Sequence, residues 1–88
     1  MLIKKQIQIR NRQGLHARPA SLFVKIANKY ESEVTVKKDN EVANGKSIMG
    51  LMTLAANQGS ILEVEISGED AEAAMKEIEA FLLNDKDE

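Results

Sequence analysis

Cysteine and tryptophan are absent from this 88-residue chain, and proline and histidine occur once each. Without thiols the fold cannot rest on disulfides, and one imidazole alone cannot build a thiolate or multi-histidine zinc cage. Neither a metal nor another cofactor is therefore expected. Phe23, Tyr30 and Phe81 are the only aromatics and none falls on a predicted strand, which removes the stacking platform of a small sheet-based nucleic-acid module. No apolar run approaches the roughly 20 residues that span a bilayer, and MLIKKQIQIR alternates polar with apolar residues where a secretory leader would carry an apolar block. The expectation is a cytoplasmic protein with no membrane insertion. A formal net charge of -2 is too small for bulk attraction to nucleic acid or to an acidic membrane.

What is present describes one small folded domain over residues 1–88, 43% hydrophobic and 30% charged. Ile3, Ile7 and Ile9 share one parity while Lys4, Gln6, Gln8 and Arg10 share the other, the period of a half-buried strand that Lys5 interrupts. Leu22, Phe23, Ile26 and Tyr30 recur at helical spacing behind Pro19, which only a first turn tolerates, so a helix is predicted over Ala17–Lys29. Val34 and Val36 alternate with charged residues, and Lys38, Asp39 and Asn40 form a turn before a short Val42–Asn44 strand. Ser47 is placed to N-cap a short, very apolar helix that Asn57, Gln58 and Gly59 end. Leu62, Val64 and Ile66 mark another half-exposed strand, closed by Gly68. Asp70 can cap a final helix whose Ala71, Ala74, Met75, Ile78, Phe81 and Leu82 fall on one face, and a frayed tail is expected from Asn84 to Glu88. The order is βαββαβα, which suits an antiparallel sheet with one face solvated and the other under helices.

The stretch GLHARPAS, Gly14–Ser21, sets the only histidine directly before a helix start. Free amides and the positive dipole end favour an anion there, Gly14 lets the loop approach, and Arg18 can add charge-assisted hydrogen bonds. A neutral imidazole is a competent nucleophile, so His16 is a candidate phosphoryl acceptor; the plain alternative is an exposed loop residue or cap. Arg10, Arg12 and Arg18 flank the loop with Lys25 and Lys29 beyond, which points to acidic partners, whereas acidic residues crowd the stretch from Glu63 to Glu88. Of these, Glu69, Asp70, Glu72, Glu77 and Glu79 read as solvated charge on the last helix.

NGKSIMGLM, Asn44–Met52, invites a P-loop reading through its GKS, but Asn40 stands where that motif needs glycine. Ser47 suffices as a helix cap. Ile48, Met49, Leu51, Met52 and Leu54 carry more apolar area than one buried stripe requires, so part of it is predicted to face outward as a methionine-rich docking patch.

GLHARPAS together with GKSIMGLMTLAANQG, within a chain of this length and element order, resembles the HPr family, the phosphocarriers of the bacterial sugar phosphotransferase system. The resemblance covers nearly the whole chain. It implies an α+β fold, an open-faced β-sandwich with a four-stranded antiparallel sheet covered on one face by three helices. It implies that enzyme I, charged by phosphoenolpyruvate, phosphorylates Nδ1 of His16, that enzyme IIA domains of sugar permeases receive the group, and that the chain is a carrier with no turnover of its own. It further implies that Arg18 assists transfer, that HPr kinase/phosphorylase modifies Ser47, with a catabolite-control transcription regulator as a further partner, and that Leu15, Ile48, Met49 and Met52 dock partners. A monomer is expected. A regulatory paralogue in the family has glutamine at the histidine position, so His16 argues for the carrier branch. Gly45 departs from the alanine or leucine usual before the Lys-Ser pair and is expected to loosen that turn slightly.

Overall fold

The computed structural model describes residues 1–84, which form β1 (Leu2–Gln8), α1 (Ala17–Ala27), β2 (Glu33–Lys38), β3 (Glu41–Asn44), α2 (Ile48–Thr53), β4 (Ile61–Ser67) and α3 (Ala71–Leu83). The four strands make one antiparallel sheet in the order β1-β4-β2-β3. The last strand in sequence thus lies between β1 and β2, with Ile3 opposite Ile66 and Ile66 opposite Val34. Ile7, Val34, Val36, Leu62, Val64 and Ile66 are all buried on the face covered by the helices, as a period of two requires. Phe23, Leu51, Leu54, Ile78 and Leu82 close the core from the helical side, and the Phe23 and Phe81 rings meet edge to face with centroids 6.4 Å apart. The other sheet face is ion-paired, with Lys37 reaching Glu65 at 2.6 Å and Glu63 at 3.8 Å and Lys4 reaching Glu65 at 3.8 Å, and it also exposes Leu2, Val42 and Ile61. The open-faced sandwich is therefore the observed fold.

Several local features differ from the sequence expectations. Lys5 occupies an inward parity on β1, opposite Val64, but its stem runs out to α3, where Nζ meets Glu79 Oε1 at 2.8 Å. Helix α1 ends at Ala27 instead of Lys29, because the amides of Lys29 and Tyr30 fold back to the carbonyls of Ile26 and Ala27 in a tightened last turn. Asp70 does not cap α3 with its side chain. Its carboxylate instead accepts the amides of Glu31 at 2.9 Å and Ser32 at 3.0 Å and also the Ser32 hydroxyl, tying the α1–β2 turn to the start of α3. Those hydrogen bonds, the hydroxyl of Ser32 first, hold the Asp70 carboxyl below its ordinary pKa.

Glu77 and Glu79 are likewise partnered. Glu77 accepts from Lys29 Nζ at 2.5 Å and from the Tyr30 hydroxyl at 2.6 Å, which lowers the Glu77 pKa and raises that of Tyr30. Among the five candidate surface acids Glu69 and Glu72 are exposed, whereas Asp70, Glu77 and Glu79 are half-buried. Gly45 does not loosen its turn: a Cβ there would lie 2.4 Å from Val34 Cγ1, and its amide donates to the Val34 carbonyl at 2.7 Å. Glycine thus lets the end of β3 close tightly on β2. Asn84, expected at the start of a frayed tail, donates its amide to the Phe81 carbonyl at 3.3 Å; residues 85–88 lie outside the described residues.

Candidate functional site

The histidine loop is built by two close approaches. Gly14 adopts φ +62°, and a Cβ on it would fall 2.3 Å from the Ala56 carbonyl oxygen, so only glycine lets the chain come this near. The following amide, that of Leu15, then donates to the same carbonyl at 2.9 Å. This turn sends the Leu15 side chain inward, where it is 2% exposed. Leu15 is consequently a core anchor of the loop, and its expected part in partner docking is corrected.

His16 follows as the N-cap of α1, with extended backbone and an exposed side chain. The ring makes no capping bond, although its carbonyl accepts the Ala20 amide at 2.8 Å. The ring instead meets Asn57, whose Oδ1 lies 3.2 Å from Nε2. An amide oxygen only accepts, so the contact is a hydrogen bond when Nε2 carries the proton, and Nδ1 then presents its lone pair. The α1 N-terminus follows directly on His16: the amides of Ala17 and Arg18 have no earlier turn to donate to, and Pro19 has no amide N–H. Asn57 was read from sequence only as a helix terminator. No local pattern marks it, since its partner is 41 positions away.

Arg18 is exposed on the first turn of α1 and, among the described residues, joins no ion pair. It lines a cleft of about 440 Å³ between α1 and the end of α3, together with Arg12, Lys25 and Lys29 and the apolar Pro19, Leu22, Ile26 and Phe81. Part of the basic character expected around the first loop is thus gathered on one side of α1, although Arg10 lies outside the cleft and Lys29 is paired with Glu77.

Ser47 caps α2 as expected, its Oγ accepting the Gly50 amide at 3.0 Å. The helix divides its apolar residues between two faces. Leu51 and Leu54 are 0% and 2% exposed, whereas Ile48, Met49 and Met52 are 41%, 76% and 42% exposed. Lys38 Nζ donates to the carbonyls of Leu54 at 3.2 Å and Ala55 at 3.4 Å, satisfying the end of α2 just before the segment that supports His16. Helices α1 and α2 pack on each other in opposite senses, with Lys46 Nζ reaching the Tyr30 carbonyl just past the end of α1 at 2.7 Å and the Leu15 amide reaching the Ala56 carbonyl just past the end of α2 at 2.9 Å. The two phosphorylation candidates therefore sit at opposite ends of the helix pair.

These features, an antiparallel open sandwich with a lone exposed histidine at a helix start, define the architecture of a histidine phosphocarrier. Residues 3–84 match the family model described as the PTS HPr component phosphorylation site. The HPr-like protein Crh of Halalkalibacterium halodurans is 43% identical over 92% of this chain and 96% of its own length. The phosphocarrier protein HPr of Neisseria meningitidis serogroup A is 47% identical over 85% and 84%, respectively. The crystal structure of HPr from Bacillus anthracis superposes with a TM-score of 0.89 at 40% identity, covering 92% of this chain and 96% of that one. Crh of Bacillus subtilis, described as a swapped, intertwined dimer, superposes at 0.74 with 40% identity over 91% and 92%. The chain belongs to the HPr family of phosphotransferase-system phosphocarriers.

Proposed function

We propose that this chain receives a phosphoryl group from enzyme I on Nδ1 of His16 and passes it to enzyme IIA domains of sugar permeases. The observation that carries this reading is the exposed ring at the start of α1 with Nε2 bonded to Asn57, which leaves Nδ1 as the free nucleophile. In the acceptor step Nδ1 bonds to phosphorus as the donor's bond to phosphorus breaks. The amides of Ala17 and Arg18 and the Arg18 guanidinium stabilise charge on the group in flight. The chain acts as a cytoplasmic carrier that others charge and discharge, so it is a substrate and not an enzyme.

Docking falls to the exposed Ile48, Met49 and Met52 of α2, with the exposed Arg18 of α1 adding attraction for acidic partner surfaces. Ser47 is proposed as the site of HPr kinase/phosphorylase, because a phosphate on an N-cap oxygen is favoured by the α2 amides yet adds about -1.5 to -2 charge next to the docking patch. A catabolite-control transcription regulator is the proposed reader of the seryl-phosphorylated form. We take the working species to be a monomer; sedimentation at a mass of 9.7 kDa supports it, and twice that mass would align the chain with the intertwined Crh dimer.

The similarity to Crh favours a second reading, a noncovalent adaptor whose α2 face regulates partners while His16 stays unmodified. Incubation with phosphoenolpyruvate and enzyme I, read by mass spectrometry, separates the two. A carrier gains one acid-labile, alkali-stable phosphoryl group that His16→Ala abolishes; an adaptor gains none.

A further inference from the structure

We propose that Asn57 is a positioning residue for the phosphoryl transfer, selecting the tautomer of His16 that attacks without losing a proton. This rests on the carrier reading above and goes beyond it, since Asn57 touches neither the phosphoryl group nor a partner in that scheme.

The geometry that aligns the pair is built into both chain segments. The Leu15 amide donates to the Ala56 carbonyl at 2.9 Å, so the two segments are pinned together one residue before His16 and one residue before Asn57. Asn57 is also held from its own side, its amide donating to Ser60 Oγ at 3.0 Å and its carbonyl accepting the Ser60 amide at 2.9 Å. The backbone of the residue is therefore fixed, and its side-chain oxygen rests 3.2 Å from His16 Nε2.

The chemistry gives this contact a direction. With the proton on Nε2, the Nδ1 lone pair forms the bond to phosphorus while the electron pair of the bond being broken leaves with the donor. Nε2 keeps its proton, the ring becomes a phosphorylated imidazolium, and no base is required. In the other tautomer Nδ1 would have to shed its proton first. Asn57 Oδ1 favours the productive form before transfer. It accepts a stronger, charge-assisted bond once the ring is cationic. The contact is exposed, so its effect sits at the lower end for a hydrogen bond, about threefold in the ratio of forms.

The test uses the intact, unphosphorylated protein with a 15N-labelled His16 ring. Wild type is expected to show ring 15N shifts weighted toward the form protonated at Nε2. Asn57→Ala should lose about threefold of that weighting, and Asn57→Asp, which can only accept, should keep it. In transfer from enzyme I, Asn57→Ala should lower kcat about threefold with KM for the carrier unchanged, because the docking residues are untouched. An unchanged ring spectrum in Asn57→Ala, or loss of the Nε2-protonated weighting in Asn57→Asp, overturns the positioning role. Because that spectrum needs no phosphorylation, it is separable from failure of the carrier reading, which would appear as no labelling of wild type by phosphoenolpyruvate and enzyme I.

Discussion

Replacing Leu51 and Met49 separately by alanine should split the two tasks of α2, because opposite faces of one short helix serve opposite environments. Leu51 is 0% exposed, and removing its side chain leaves a cavity among residues that cannot fully collapse into it. A Leu→Ala change at such a site costs about 3 kcal/mol, and for a domain of this size each kcal/mol lowers Tm by about 4–8 °C, so a drop of about 12–24 °C is expected. Met49 is 76% exposed and contributes little to the fold; its truncation should change stability by less than about 0.5 kcal/mol. Buried against a partner, the same side chain is worth about 1.5 kcal/mol, so Met49→Ala should weaken enzyme I binding about tenfold. Thermal melts followed by circular dichroism and calorimetric titration with enzyme I measure both quantities. Undiminished affinity in Met49→Ala, or a fall in its Tm comparable to that of Leu51→Ala, would refute the assignment of the two faces.

Arg18→Ala should slow transfer to enzyme IIA about a hundredfold, roughly 3 kcal/mol of lost electrostatic stabilisation, and rapid-quench rates equal to wild type would remove Arg18 from the mechanism. Asp70 has a folded pKa below its ordinary 3.8, so its contribution is complete above that value and is lost as pH falls through the lower folded one; Asp70→Asn should flatten the stability curve in that acid range when melts are run from pH 6 to 2. Gly45→Ala should force Val34 aside at a cost of about 1–3 kcal/mol, visible in urea titrations, and no loss would show that β2 and β3 can part at that point. Ser47→Asp should reduce the rate of phosphorylation by enzyme I while Ser47→Ala does not, with Ser47→Asp melting close to wild type and Ser47→Ala lower by about 4–8 °C through loss of the α2 cap; equal rates for the two would count against an electrostatic switch.

The elements that could be read from sequence are those with a local period. On β4, Leu62, Val64 and Ile66 turn inward as their spacing requires, and the apolar excess of α2 does divide between Leu51 and Leu54 inside and Met49 outside. Ser47 caps its helix because capping needs only the next three residues. Apart from the end of α1, the misread features depend on distant chain. Asp70 was free to cap α3 until the Glu31–Ser32 turn, 38 and 39 positions earlier, offered three better-placed donors. Leu15 looked like surface beside an exposed histidine, yet the bond from its amide to Ala56 turns it into the core. Lys5 broke the β1 pattern without explanation because its partner, Glu79, is on the last helix. At the site, the sequence gathered His16 and Arg18 into one motif, while Asn57 was legible only after folding brought two loops together.

The claim at the centre of the account is carriage, which requires both acceptance and release at the same nitrogen. The direct measurement is a chase: wild-type chain charged with 32P-phosphoenolpyruvate and enzyme I, freed of donor, and mixed with an enzyme IIA domain. Label should leave His16 and appear on enzyme IIA in equal amount. Label that never enters the chain, or that stays on it in the presence of enzyme IIA, would contradict the account.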